Sequence, residues 1–297
     1  MQSPHTIRLS GPGIVLEPAA LIRDAFAPFG DVVENPRPDI HPSAADKAHP
    51  LPFDAVVANQ GSAVKYQHVS RQVNLYDQAP SGRPGSAITS MFVCAARARI
   101  PDPAPIPPLP PAATPAPDSA LSWRSGSGPP PGPAAFPVAI LERHPYTTQT
   151  FMPLTTDPTA RYLVIVAPSL PPAPEDTLPG PTTPPPSSAG YPRPLPGSGM
   201  PDLRGVRAFV AHAAQAVTYG AGTWHAPMVA LGEAGTAIDF VVVQFANGVG
   251  LEDCQEVLLE GPAKGSASET RAAGGIVVNL APRKDLGRVM TGRYAKL

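Results

Sequence analysis

The stretch FPVAILERHPYTTQTFMPL, residues 136–154, combines a β-type apolar run with a dense polar cluster. Its β-branched and aromatic residues favour a strand, and successive side chains of a strand point to opposite faces. An extended segment therefore places Glu142 and His144 on one face and Arg143 on the other, at the rim of a sheet. The alternative is a surface ion pair between Glu142 and Arg143, with His144 starting a turn before Pro145.

A second polar group lies within residues 206–231, where the segment YGAGTWH covers residues 219–225. Its two glycines allow a tight turn. After that turn Trp224 and His225 point to opposite faces, so one of them lines the interior. Histidine is suited to acid–base work because its unperturbed pKa lies near neutrality. The alternative is a packed Trp224 with a solvent-facing His225. We predict that residues 138–154 and 206–231 face each other in one small-molecule active site.

Further short β-type runs extend this pattern along the chain. They are Ala63–Tyr66, Ser90–Arg97, Phe136–Leu141, Tyr162–Ala167, Arg207–Ala211, Ala216–Tyr219, Met228–Leu231, Ile238–Phe245 and Glu256–Leu259. One short amphipathic helix is expected over Glu17–Ala27, with Gly30 as a stop signal. Strands do not alternate with helices, which argues against a doubly wound α/β fold. The pattern predicts one all-β domain over residues 1–297, an antiparallel barrel or jelly roll with a few short helices.

Proline-rich segments interrupt this pattern twice, at residues 101–133 and 168–201. The chain has 44 Pro and 26 Gly, and such segments favour polyproline II or disorder. We interpret both as loop insertions within the domain, because lengthening a surface loop costs little free energy. The alternative is a ligand for domains that bind proline-rich peptides.

Charge and composition exclude several classes of partner. The formal net charge is −1 and the pI about 6.7, so binding to nucleic acid or to an anionic membrane through bulk charge is not expected. No apolar run is long enough to span a membrane, and no leader peptide is visible. Two cysteines, Cys94 and Cys254, are too few for a disulfide framework. We expect an intracellular protein, cytoplasmic or peroxisomal, because Ala295-Lys296-Leu297 is similar to a peroxisomal signal.

Metal motifs such as HxH and HExxH are absent from the sequence, and so are the motifs of nucleotide sites. We therefore expect no cofactor. A site of two histidines and one carboxylate, formed by Glu142, His144 and His225, stays open as an alternative. His212 is a weaker third histidine for such a site.

These segments together resemble the ureidoglycolate lyase family, also called ureidoglycolate hydrolase. The matching stretches are Phe26–Glu34, Met91–Ala98, Leu141–Leu154, Arg161–Pro168, Arg207–Phe209, Gln215–Tyr219, Thr223–Pro227, Ile238–Val243 and Glu252–Cys254. Residues 64–66 and 73–76 look like the longer fungal branch of the family. The proline-rich insertions and about the last thirty residues are outside the resemblance. The chain departs from the family pattern at Gly220 and Ala226, where relatives often have histidine, and at Gln244, where they often have an acid.

The resemblance implies a cupin-like double-stranded β-barrel, usually a homodimer. It also implies conversion of (S)-ureidoglycolate to glyoxylate and urea, the last step of allantoin degradation in purine and nitrogen metabolism. Two alternatives stay open. One is a cupin-like enzyme for another small 2-hydroxy or 2-oxo acid. The other is a non-catalytic scaffold that binds partners through its proline-rich loops.

This reaction requires a base, an acid and an anchor for the substrate carboxylate. The candidate catalytic residues are His225, His144 and Glu142. The candidate substrate-binding residues are Arg97, Arg143, Lys65, Asn74, Gln149, Tyr219 and Trp224. Either arginine would suit the carboxylate, because a guanidinium binds it through two parallel hydrogen bonds. Strand parity favours Arg97 as that anchor, since Arg143 faces away from Glu142 and His144.

Overall fold

The computed structural model describes residues 5–9, 13–47, 50–98, 135–184, 194–261 and 275–280. The predicted insertion at residues 101–133 and the tripeptide at residues 295–297 lie outside these ranges. The first half contains β1 (His5–Arg8), β2 (Ile14–Leu16), β3 (Ala19–Ala20), α1 (Arg23–Phe26), β4 (Gly30–Val33), β5 (Val56–Ala58), β6 (Ala63–Lys65), β7 (Ser86–Ala98), β8 (Ala135–Val138) and β9 (Ile140–Arg143). The second half contains β10 (Gln149–Pro153), β11 (Arg161–Ala167), β12 (Arg207–His212), β13 (Ala216–Tyr219), β14 (Trp224–His225), β15 (Val229–Leu231), β16 (Ala237–Ala246), α2 (Gly250–Asp253), β17 (Gln255–Glu260) and β18 (Ile276–Asn279). Three 3-10 turns cover Pro42–Lys47, Asn59–Gly61 and Tyr76–Gln78.

Thirteen of these strands join in one hydrogen-bonded sheet. Its order is β1-β17-β9-β14-β11-β15-β7-β16-β10-β13-β4, with β12 beside β11 and β3 beside β12. A three-stranded sheet, β2-β18-β8, and the β5–β6 hairpin complete the described part. The prediction of an all-β fold is confirmed, and the arrangement is consistent with a cupin-like fold. The hydrogen-bonded ladder does not close into a barrel within the described residues.

Strand β11 separates two hydrophobic cores. Tyr162 and Val164 pack into an inner core with side chains from β10, β12, β13 and β16. Leu163 and Ile165 pack on the other side, in an outer core with side chains from β8, β17 and β18. A strand that is buried on both faces carries a continuous apolar run, which explains why RYLVIVA shows no polar alternation.

The long strand β7 connects the two halves of the sheet. Ten residue pairs join it to β16 in antiparallel register, and its end pairs with β15 in parallel. Its side chains therefore alternate between a concave face, which carries Phe92, and an outer face. On that outer face Met91 is 56% exposed and Val93 is 70% exposed, so β7 presents an apolar surface on the side of the sheet opposite the cavity described below.

Eight of the nine predicted strands are present as single strands, and Phe136–Leu141 is divided into β8 and β9, which belong to different sheets. The predicted helix over Glu17–Ala27 is wrong in most of its length. Ala19 and Ala20 instead pair in parallel with Phe209 and Val210 of β12, and the helix is a single turn at Arg23–Phe26. Pairing with β12 supplies backbone partners that outweigh the helical pattern, because helix propensity is a weak preference. None of the helices in the described ranges is long and apolar enough to cross a membrane.

The described ends of the second proline-rich segment lie side by side. Ser169 forms an antiparallel bridge with Pro201, and Leu170 N–H donates to the Met200 carbonyl over 2.8 Å. Leu178 of this segment is buried in the outer core. The two described parts of this segment, residues 168–184 and 194–201, therefore pack against the sheet.

Candidate active site

A cavity of about 310 Å³ opens on the concave side of the sheet, between β7, β9, β10 and β16. Its lining residues are Ser90, Phe92, Cys94, Glu142, His144, Gln149, Phe151, Pro227, Met228, Val242 and Gln244. Most of the wall is apolar, with a few polar groups converging on it, as in small-molecule sites generally. Glu142 is the one acidic side chain of this lining, and no Lys or Arg of the described residues belongs to it.

All three predicted catalytic residues meet at this cavity. Glu142 on β9 and His225 on β14 are cross-strand partners, so both side chains lie on the same face. One ligand atom from each of Glu142, His144 and His225 lies within 4.8 Å of the others. His144 and Glu142 line the cavity, whereas His225 lies against them and is 1% exposed. The prediction that Glu142 and His144 share a face is confirmed.

Both imidazoles are held in one orientation by backbone carbonyls. His144 Nδ1 lies 2.6 Å from the Asp253 carbonyl oxygen, and His225 Nδ1 lies 2.9 Å from the Thr223 carbonyl oxygen. A carbonyl only accepts hydrogen bonds, so each Nδ1 carries a proton and each neutral ring keeps a lone pair on Nε2. In the described part of the chain neither buried Nε2 has a hydrogen-bond partner.

Burial keeps both histidines neutral near physiological pH. It lowers the pKa of His225 to about 3, with a smaller contribution from the neighbouring His144. It also lowers the pKa of His144, although the hydrogen bond to the Asp253 carbonyl opposes this effect. Each ring therefore offers an unprotonated nitrogen that can accept a proton.

Glu142 is shifted in the opposite sense. Burial raises the pKa of its carboxyl from 4.5 to about 7, and repulsion from Glu256 adds to the effect. Glu256 is the cross-strand neighbour of Glu142 on β17. The distance from His225 Nε2 to Glu142 Oε1 is 3.6 Å, too long for a hydrogen bond, and a neutral imidazole cannot form an ion pair. Glu142 is thus a carboxyl that is protonated in part at neutral pH.

Tyr219 and Trp224 have different roles in the fold. The Tyr219 ring stacks on His225, with 4.0 Å between centroids and 13° between planes, and its buried hydroxyl has no partner among the described residues. Trp224 points the other way, into the outer core. The prediction that Trp224 and His225 face opposite sides is confirmed. Of these two aromatic residues, Tyr219 supports the site directly.

Arg143 lies away from the cavity, although it was a candidate for binding the substrate carboxylate. It is 1% exposed, and its Cζ lies 4.4 Å from the Trp224 ring centroid. Its guanidinium donates to Gln255 Oε1 over 2.8 Å and to the carbonyl oxygens of residues 197–199. Burial lowers its pKa to about 10. These bonds fasten the proline-rich segment to β9, the strand that carries Glu142.

Three other predicted substrate-binding residues are not brought to the cavity. Arg97 is exposed on β7, with its Cζ 5.1 Å from the Phe136 ring centroid. Lys65 is exposed on the β5–β6 hairpin. Asn74 is exposed and is bonded to Gly85 and to the Tyr76 backbone. The strand of Arg97 does form part of the cavity wall, but its guanidinium lies on the side of the outer core, against Phe136. The places of Lys65 and Asn74 depend on long-range contacts, which the sequence pattern does not specify.

Gln149 does line the cavity, and the structure adds a partner that sequence reasoning missed. Gln149 Nε2 donates to Gln244 Oε1 over 2.6 Å, and the two residues are cross-strand partners on β10 and β16. Alternation along β16 offered a signal, because Val242 and Gln244 share a face. Asp253 was also missed, although the quoted Glu252–Cys254 stretch contains it. Its carboxylate accepts from the Tyr76 hydroxyl over 2.7 Å while its carbonyl holds His144.

The three convergent residues could also hold a divalent cation. Glu142, His144 and His225 satisfy the spacing for such a group, and two imidazoles with one carboxylate form a common metal-binding set. A second group of this kind consists of Glu142, Cys254 and Glu256. His212 lies at the end of β12 and belongs to neither group.

Comparison with known proteins gives a consistent result. Residues 14–264 match the family model described as ureidoglycolate lyase. The chain is 33% identical over 245 residues to a Schizosaccharomyces pombe protein named ureidoglycolate lyase, covering 82% of this chain and 91% of the relative. A protein of the same name from Pseudomonas syringae pv. tomato is 26% identical over 248 residues, covering 83% and 90%. A Saccharomyces cerevisiae protein of that name is 35% identical over 111 residues, covering 37% and 43%.

Proposed function

This chain belongs to the ureidoglycolate lyase family, and on that premise we propose that its cavity converts (S)-ureidoglycolate to glyoxylate and urea. The chain is then a carbon–nitrogen lyase of allantoin catabolism. The observation that carries the proposal is the convergence of Glu142, His144 and His225, with two unpaired imidazole nitrogens, at one cavity.

The reaction is an elimination, and no water enters its balance. One carbon of ureidoglycolate bears a hydroxyl, a carboxylate and the ureido nitrogen. When the hydroxyl loses its proton, the carbon–oxygen double bond forms and the carbon–nitrogen bond breaks. The leaving nitrogen gains a proton, because anionic urea is a poor leaving group. The site therefore needs one base and one acid that are close together.

The geometry supports His144 as the base and Glu142 as the acid. His144 lines the cavity with an unprotonated Nε2, and its Nδ1–H is held by a carbonyl that also stabilises the protonated ring. Glu142 lines the same cavity and, with a pKa of about 7, carries a proton that it can give to the leaving nitrogen. After each turnover a proton passes back from His144 to Glu142. His225 lies behind them as a positioning residue, held in place by the stacked Tyr219.

A bound divalent cation is the second candidate for the chemistry of this site. The observation that favours it is the absence of Lys and Arg from the described cavity lining, since the substrate carboxylate needs a positive partner. Glu142, His144 and His225 would hold the cation, and it would supply that charge and lower the pKa of the substrate hydroxyl. Dialysis against a chelator separates the two schemes. Unchanged activity supports the side chains alone, and loss that one divalent metal restores supports the cation.

The direct test of the reaction is its stoichiometry. Purified protein with (S)-ureidoglycolate should release urea and glyoxylate in equal amounts, with no ammonia. Release of ammonia in place of urea would identify a hydrolase of the ureido amide and would overturn the proposal.

We also propose that the chain forms a homodimer through the outer face of β7 and its neighbours. This face carries exposed apolar side chains, among them Met91, Val93 and Leu154, the last of which is 61% exposed. Contiguous exposed apolar surface on a folded domain is typical of interaction sites. Light scattering after gel filtration measures the mass directly, and Val93→Lys should shift it from dimer to monomer. A wild-type protein of monomer mass at micromolar concentration would contradict the dimer.

A further inference from the structure

We propose that Gln149 and Gln244 form a subsite that recognises the ureido end of the substrate by pairing one acceptor and one donor with it. The inference rests on the lyase reaction proposed above and adds how the pocket selects this substrate. It assigns a specificity-determining role to Gln244, which the sequence analysis noted only as a departure from the family pattern.

The two amides form one rigid unit in the cavity wall. They are cross-strand partners on adjacent strands, joined by a 2.6 Å hydrogen bond from Gln149 Nε2 to Gln244 Oε1. Both line the cavity that also contains Glu142 and His144. Gln149 is 5% exposed, so the bond holds its side chain in one orientation beside the reacting groups.

The pair leaves one acceptor and one donor without partners at the cavity wall. Gln149 Oε1 is a buried acceptor with no partner among the described residues. Gln244 Nε2 makes no hydrogen bond to any residue that the structure describes. Exchanging nitrogen and oxygen in both amides keeps the bond between them and again leaves one acceptor and one donor. In either orientation the pair matches a group that carries C=O and N–H side by side, as the ureido group does.

Among the buried glutamines of the described residues, only Gln149 at the cavity has an amide group without a hydrogen-bond partner. Gln215 donates to Leu21 and Glu34 and accepts from the backbone of His212. Gln255 donates to two carbonyls and accepts from Arg143. Both amides are therefore paired at each end, as buried polar groups usually are.

A substrate carboxylate cannot satisfy both free groups of the pair. In either orientation of the amides one free group is an acceptor, and a carboxylate at neutral pH has only acceptors, so the two do not bond. A ligand that satisfies the free acceptor must bring a hydrogen-bond donor. In ureidoglycolate the donors are the hydroxyl and the ureido N–H groups. The hydroxyl is required at the acid–base pair, so the N–H groups remain for the glutamine pair.

The experiment compares ureidoglycolate with its N-acetyl analogue, 2-acetamido-2-hydroxyacetate. In the analogue a methyl group replaces the terminal amino group, and the carboxylate, hydroxyl and scissile carbon–nitrogen bond are kept. The two compounds differ in intrinsic reactivity, so the measured quantity is the ratio of their kcat/KM values in each variant relative to the wild type. Gln149→Met and Gln244→Met remove the amides at similar volume. Gln67→Met, at a half-buried glutamine outside the cavity that donates to the Asp54 carbonyl, is the matched control.

We expect each cavity variant to lower the preference for ureidoglycolate roughly 10-fold to 100-fold, because a buried polar group rejects a ligand that cannot pair with it. Glyoxylate release from the analogue should change much less, and Gln67→Met should keep the wild-type ratio. Equal losses on both substrates, in a variant whose circular dichroism and melting temperature match the wild type, would overturn the inference and leave the lyase reaction standing. If Gln149→Met does not fold, the half-buried Gln244→Met decides the question. A wild type that releases no urea would overturn the lyase reaction and this inference with it.

Discussion

Replacing Glu142 with glutamine should abolish urea release and, above neutral pH, make the fold more stable. Burial, assisted by Glu256, raises the pKa of the Glu142 carboxyl from 4.5 to about 7. Between these values the folded chain keeps a proton that the unfolded chain has released. Stability therefore decreases as the pH rises through this window, and it is lowest once the carboxyl is ionised in the fold. Glutamine is neutral throughout, so the variant is free of this decrease.

The magnitude follows from the pKa difference. One pKa unit corresponds to about 1.4 kcal/mol, so the rise amounts to about 3 kcal/mol when fully developed. Part of this destabilisation of the wild type is already present at pH 5, because the carboxyl of Glu142 in the unfolded chain is largely ionised at that pH. Between about pH 5 and pH 8.5 we expect the free energy of unfolding of Glu142→Gln to gain about 2 to 3 kcal/mol over that of the wild type.

Guanidinium chloride denaturation at the two pH values measures this difference, with the buried Trp224 as the fluorescent probe. Glu175→Gln, which removes an exposed carboxylate from the proline-rich segment, is the matched control. If Glu142→Gln is instead less stable than the wild type by the same amount at both, the carboxyl is ionised in the fold. A bound cation would have that effect, and repeating the series after chelation would show whether it is the cause.

Three further expectations concern residues around the same strand. His144→Gln should lower kcat at least about 100-fold, the usual contribution of a general base, with the melting temperature unchanged. A smaller loss would move the base to another group. Arg143→Met leaves several buried acceptors unpaired, so it should lower the free energy of unfolding by about 3 kcal/mol or more, while KM for ureidoglycolate stays near the wild-type value. A large rise in KM with wild-type stability would contradict this expectation and indicate that Arg143 binds the substrate. Tyr76→Phe removes the hydroxyl that donates to Asp253, and denaturation should show a loss of about 1 to 3 kcal/mol. Its kcat should decrease less than that of His144→Gln, because the Asp253 backbone carbonyl that holds His144 remains.

Local pattern was sufficient to predict the strands and the faces of their side chains. The alternation of Glu142, Arg143 and His144 placed the acid and the base together and the guanidinium opposite, and the structure confirms it. The same rule correctly separated Trp224 from His225. Both predictions need only the two-residue period of a strand, which does not depend on the rest of the fold.

Long-range pairing set the limit of prediction. The partner of Gln149 is 95 residues away along the chain, and the carbonyl that holds His144 is 109 residues away. Neither contact follows from a local period. Lys65 does not reach the cavity for the same reason, because its strand pairs with β5. Arg97 is on β7, a strand of the cavity wall, but its guanidinium lies against Phe136 of the outer core. The short helix was overestimated because β12 offered Ala19 and Ala20 a strand partner.

The distribution of unpaired polar atoms shows which face of the strand has a ligand to meet. Seven buried side-chain atoms in the described residues lack a hydrogen-bond partner, and four of them belong to residues that line the cavity or lie directly behind its wall: His144 Nε2, Gln149 Oε1, Tyr219 OH and His225 Nε2. On the opposite face Arg143 is bonded through all three of its nitrogens. An unsatisfied buried group costs on the order of 1 to 3 kcal/mol of folding free energy. Around β9 this destabilisation is therefore confined to the side that faces the cavity.

Three of the four atoms are acceptors. The aldehyde form of glyoxylate, which the reaction produces, has neither an O–H nor an N–H group and cannot donate to them, whereas ureidoglycolate has hydroxyl and ureido N–H donors. These unpaired acceptors therefore bind ureidoglycolate better than glyoxylate. The weaker binding of glyoxylate favours its release once the carbon–nitrogen bond has broken.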